Sequence, residues 1–103
     1  MVRVSVLYPH QPGGKFDMDY YLTKHMPMVR QRLGATLKGV SVEQGISGGA
    51  PNSPPPFVVL CHLLFDSVAA HDAAIAPHEA ELKGDISNFT NIEPRFQFSE
   101  VKL

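Results

Sequence analysis

A chain of 103 residues with 44% hydrophobic and 18% charged side chains has the composition of one globular domain, 1–103, not of a disordered or fibrous protein. A net charge of −1 without a basic run argues against a nucleic-acid partner, and no stretch of about eighteen apolar residues argues against a membrane span. Cys61 stands alone, so no internal disulfide is possible and a cytoplasmic location is expected.

In chain order, Val2 to Tyr8 alternates, placing Val2, Val4, Val6 and Tyr8 on one face of a half-buried strand that ends at Pro9 and the Gly13-Gly14 turn. Asp17 is positioned to cap a first helix that runs to Leu33 and stops at Gly34. Met18, Leu22, His25, Val29 and Leu33 form its inner stripe at helical spacing. Pro27 has no amide hydrogen and would clash with the Thr23 carbonyl, so a kink or break is expected near His25 and Met26. Leu37 to Ile46 reads as a second strand with Val40, Val42, Gln44 and Ile46 on one face. A Gly/Pro loop over 47–56 follows. Phe57 to Phe65 is almost continuously apolar, as in a strand covered on both faces.

Ser67 caps a second helix with Val68, His71, Ile75 and Leu82 inward; Pro77 interrupts it and Gly84 ends it. Residues 85–91 form a polar loop. Ile92 to Val101 then alternates as a last strand, with Ile92, Phe96 and Phe98 against Glu93, Arg95, Gln97 and Ser99. The order β-α-β-β-α-β predicts an α+β, ferredoxin-like fold with a four-stranded antiparallel sheet and both helices on one face. The other face then lacks a cover, although the third strand is apolar on both sides. A second copy of the same sheet is the simplest cover, which predicts a homodimer.

The run Phe16-Asp17-Met18-Asp19-Tyr20-Tyr21-Leu22-Thr23-Lys24-His25-Met26-Pro27-Met28 resembles the first-helix signature of the EthD (ethyl tert-butyl ether degradation) family. The segment Phe89-Thr90-Asn91-Ile92-Glu93-Pro94, the Val-Leu-Tyr-Pro end of the first strand and the Gly-Gly-x-Pro loop are similar to it as well. The resemblance spans nearly the whole chain and implies a dimeric α/β barrel. Relatives in that wider superfamily include cofactor-free monooxygenases, lactone isomerases, cyclases, dehydratases and haem enzymes, and a shared fold does not choose among them.

His25 and Tyr21, four residues apart on one helix, are the leading catalytic pair. An imidazole titrates near neutral pH and a phenol polarises a carbonyl. The competing reading has His25 hydrogen-bonded to a backbone carbonyl at the proline break. Tyr20, His78, Asn88 and Thr90 are candidate substrate contacts, with ordinary helix-end and turn roles as their alternatives. His71 reads as a core residue. His62 and Cys61 take opposite faces of the third strand, the sequence not saying which, and Cys61 is expected to be inert. No metal-ligand spacing or phosphate loop occurs, so neither a metal nor an organic cofactor is expected. The resulting expectation is a small enzyme of isomerase, cyclase or dehydratase type acting on an apolar oxygenated molecule. A non-catalytic carrier of a hydrophobic ligand for an oxygenase and a haem-binding protein are the alternatives.

Overall fold

The structure, a computed structural model describing all 103 residues, has four strands, β1 (Val2–Pro9), β2 (Gly39–Gln44), β3 (Phe57–Phe65) and β4 (Arg95–Glu100). A first helix (18–33) joins β1 to β2 and a second (68–84) joins β3 to β4. The sheet order is β2-β3-β1-β4 with every pair antiparallel, the ferredoxin-like arrangement. No helix is long and apolar enough to cross a membrane.

Strand register makes two kinds of row. Phe96, Val6, Cys61 and Val42 lie side by side, as do Phe98, Val4, Leu63 and Val40, and these rows face the helices. Gln97, Ser5, His62 and Ser41 form the row between them, on the open face. Cys61 therefore points to the helix layer and His62 away from it. Phe65, Tyr8, Tyr21, Val59 and Cys61 are the most deeply buried side chains.

Both helices start where a side-chain cap stands. Asp17 Oδ1 accepts the Tyr20 amide at 3.0 Å, and Ser67 Oγ accepts the Ala70 amide at 3.0 Å. The first helix ends on Gly34 at φ +57°, a left-handed φ that a side chain would strain. Pro77 splits the second helix into Val68–Ile75, a 3₁₀ turn Ala76–His78 and Glu79–Gly84.

Pro27 disturbs the helix at the expected place, beside His25 and Met26. The first helix does not break; it widens into a π turn over Tyr21–His25, in which the Met26 amide donates to the Tyr21 carbonyl. The wide turn absorbs a proline that has no amide to give and whose ring crowds a regular α turn. It also shifts the helical phase. Tyr21 and His25 turn inward, whereas Leu22, expected on the inner stripe, is 49% exposed. Val68 and Ile46 likewise stand outside the core at 45% and 94% exposure, because β2 ends at Gln44 and Val68 occupies the first, solvent-facing turn of its helix. Residues 85–91 are not simply a polar loop. Phe89 and Thr90 are buried, and Thr90 forms an isolated bridge with Phe16.

Replacing the cap, Ser67→Ala, is expected to lower unfolding free energy by about 1 kcal/mol in urea titration, since one amide of the first turn loses its acceptor.

Candidate functional site

The helices cover the β2–β3–β1 part of the sheet but leave β4 partly bare. Phe96 and Phe98 face the helix layer yet remain 54% and 45% exposed. Between them and the helices opens a cavity of about 270 Å³. Its deep end is formed by Val4, Tyr8, Cys61 and Leu63 of the sheet and by Tyr21, His25, Met26 and Val29 of the first helix. His71, Ile75 and Leu82 of the second helix and Ile86 close the side, and Glu79 and Lys83 stand at the mouth as an ion pair of 2.7 Å.

His25 is held on three sides. Its ring stacks on Tyr21 at a 5.5 Å centroid distance and 16° between planes, and Phe89 lies 4.6 Å away on a tilted ring. Nδ1 lies 2.9 Å from Asp85 Oδ2. An ionised carboxylate only accepts, so Nδ1 carries the proton and donates it to Asp85. Nε2 is then the lone-pair nitrogen, and it makes no hydrogen bond within the chain. The Asp85 carboxylate also accepts from the Tyr20 hydroxyl at 2.7 Å and from the Asn88 amide at 2.9 Å. Burial pushes the Asp85 carboxyl up, but the donors Asn88, Tyr20 and His25 together outweigh it and hold the group below the ordinary carboxylate range. The same contact, with burial, raises the Tyr20 phenol.

The deep end is polar only through neutral groups. Burial raises the phenols of Tyr8 and Tyr21 and the thiol of Cys61; Cys61 adds to the rise of both phenols, the Tyr21 hydroxyl opposes that of Tyr8 and Cys61 without cancelling it, and all three stay protonated at neutral pH. Such groups donate hydrogen bonds to a carbonyl or hydroxyl oxygen without bringing a charge.

The six residues singled out from the sequence divide cleanly. His25 and Tyr21 line the cavity together. Tyr20 and Asn88 do not reach it and instead grip Asp85 from behind. Thr90 bonds the Lys15 carbonyl at 2.6 Å and receives the Ile92 amide at 3.0 Å, which fastens the segment after the second helix to the loop after β1. His78 lies in the 3₁₀ turn beside Glu81, away from the cavity. Sequence reasoning missed Asp85, 60 residues from its histidine, and the position of His71 on the cavity wall. For Asp85 the local signal was only an acid directly after the helix-ending Gly84. No group of three or more His, Cys, Asp and Glu side chains gathers to hold a metal ion.

A ferredoxin-like domain with an apolar cavity and a histidine–aspartate pair on its wall is the class of protein that this geometry defines. The EthD domain matches residues 15–93, and the chain belongs to the EthD family. It is 44% identical to an EthD-like protein of Ralstonia eutropha whose crystal structure superposes with a TM-score of 0.94, covering 99% of this chain and 92% of that one. An ethyl tert-butyl ether degradation family protein of Bacillus halodurans, 23% identical and covered over 99% of both chains, shares the fold with a TM-score of 0.73. An uncharacterized 11.0 kDa protein from the thcB-thcC intergenic region of Rhodococcus erythropolis is 27% identical over 92 residues, 88% of this chain and 85% of that protein.

Asp85→Ala leaves the Tyr20 hydroxyl, the Asn88 amide and the His25 Nδ1–H without their acceptor, and is expected to cost about 1–3 kcal/mol at neutral pH. A carboxyl held below its unfolded value stabilises fully above that value, about pH 3.9, and loses the contribution as pH falls through the lower folded value. Denaturant unfolding across pH should therefore show a constant gap between the native protein and Asp85→Ala above pH ~4 that closes only in stronger acid.

Proposed function

We propose that the chain is a small enzyme that works without a metal or organic cofactor and moves a proton on a neutral, apolar, oxygen-bearing molecule bound in the cavity. The observation that carries this reading is the His25–Asp85 contact: it fixes the tautomer and the ring, and leaves Nε2 as a base beside an apolar space. The Tyr21 hydroxyl, kept neutral by burial and resting against Tyr8 and Cys61, turns its one O–H from these neighbours to the oxygen of the ligand and steadies charge that develops there. The apolar lining selects against ions, and a charged carboxylate would meet no cation at the deep end.

The natural reaction for this set is abstraction of a proton from the carbon next to a carbonyl. His25 Nε2 takes the proton, the C–H pair becomes part of an enolate, and Tyr21 hydrogen-bonds the enolate oxygen. Acetophenone in D₂O is a direct probe, because each abstraction exchanges a methyl hydrogen for deuterium and NMR reads the loss. The protein should accelerate exchange above buffer, and His25→Asn should slow it by about 10²-fold or more. Exchange at the buffer rate, or exchange unchanged in His25→Asn, overturns the reading.

The same reading includes a homodimer. Leu7, Val58, Leu60 and Leu64 are only half-buried on the open sheet face, around the His62 that bonds Ser5 Oγ at 2.8 Å and lies 3.3 Å from Glu43. A second sheet packed against this face covers those leucines. Sedimentation equilibrium should give twice the chain mass at micromolar concentration, and Leu60→Arg should shift the protein toward the monomer. A native monomer at that concentration refutes the dimer and leaves the cavity chemistry untouched.

A further inference from the structure

His71 repeats the construction of His25 on the other helix. Its ring is clamped edge-on between Phe65, 5.1 Å away at 85°, and Phe98, 4.9 Å away at 84°. Its Nδ1 lies 2.9 Å from Asp72 Oδ1, and Asp72 is 66% exposed, so the bonded edge of the ring faces solvent. The imidazole itself is only 13% exposed and lines the cavity, with Nε2 free of any hydrogen bond within the chain. No side-chain nitrogen or oxygen of the chain is buried without a partner, so the unbonded Nε2 is reached from the open cavity and is not sealed in the core. Two rings, each locked by aromatic neighbours and each oriented by an aspartate at Nδ1, thus enter one cavity from different helices.

We propose that His71 is the second proton-transfer residue of this cavity and that the chain catalyses a proton shift between two carbons of an unsaturated ketone. The inference rests on the reading of His25 as the base and deepens it by naming the acid and the substrate class. His25 Nε2 removes the α-proton of a β,γ-unsaturated ketone. The C–H pair forms a new C=C, giving a dienolate whose oxygen accepts a hydrogen bond from Tyr21. The dienolate then collapses: its C–O pair re-forms the carbonyl, the double bond settles between the α and β carbons, and the γ carbon takes a proton from His71 Nε2. One C–H bond breaks and one forms, no oxidant or reductant is needed, and the product is the conjugated isomer. His25 ends protonated and His71 neutral, and exchange with solvent at the mouth resets both.

The groups facing each ring are few. His71 meets Asp72 on its own helical segment and Glu79, with its partner Lys83, from the next; the sheet offers it only the rings of Phe65 and Phe98. His25 meets Asp85, behind which stand Tyr20 and Asn88.

The test uses 3-cyclohexenone, a small neutral β,γ-unsaturated ketone, with conversion to 2-cyclohexenone followed by ultraviolet absorbance and α-hydrogen exchange in D₂O followed by NMR. The native protein should do both. His71→Asn should cut conversion about 10²-fold or more, while α-exchange by His25 persists and shows that the cavity is intact. Asp72→Asn changes only an exposed carboxylate and should depress conversion in the same direction. His25→Asn should lose both signals. Conversion unchanged in folded His71→Asn or Asp72→Asn, or α-exchange without any conversion by the native protein, overturns the inference while His25 stands as the base. Absence of both signals in the native protein overturns the inference together with the reading on which it rests.

Discussion

Pro27 has no amide hydrogen, and the geometry of the cavity follows from how the first helix accommodates that loss. A regular α turn would bring the proline ring against the Thr23 carbonyl and leave that carbonyl without its donor. The chain instead opens a π turn over Tyr21–His25, with the Met26 amide reaching back to Tyr21. A helix that widens by one residue changes which side chains face the sheet beyond that point. Tyr21, His25, Met26, Val29 and Leu33 come to lie inward, and Leu22 is left at the surface. The imidazole, inward already at plain helical spacing, stacks on Tyr21 and under Phe89.

Asp85 completes what the π turn begins. It follows the last residue of the second helix, so its hydrogen bonds to His25 and Tyr20 tie the end of one helix to the middle of the other. Three donors on one carboxylate keep it ionised, and an ionised carboxylate at Nδ1 leaves the imidazole a single tautomer. Phe89 and Thr90, a few residues later, bring the chain back across the first helix and the loop after β1. Stability and the cavity wall therefore share the same contacts, which is why changes behind His25 are felt both in unfolding and at the ring.

The open cavity has its own physical origin. β4 is an edge strand, and two helices of this length do not reach across it. Phe96 and Phe98 alternate inward as an amphipathic strand requires, yet they meet space instead of a helix. Apolar surface of that kind is costly in water, and a ligand that covers it gains the corresponding burial. Neutral hydroxyls stand at the deep end of that space and an ion pair at its mouth.

Much of this was legible in the residue order. Period-two and helical patterns, the caps Asp17 and Ser67, the stops Gly34 and Gly84 and the break at Pro77 determine the β-α-β-β-α-β order, because each acts over a few residues of backbone. The Tyr-Tyr-x-x-x-His-x-Pro segment likewise marks the family, and its His25 and Tyr21 lie on the cavity wall. Tertiary structure alone decided the rest: that Cys61 rather than His62 faces the helices, that Leu22 yields its inward place to Tyr21, that Tyr20 and Asn88 bond Asp85 and do not line the cavity, and that His71 shares a cavity with His25. Those are outcomes of strand register, of a non-α turn, and of contacts between residues as far as 60 positions apart, and no local pattern carries information about a partner that distant.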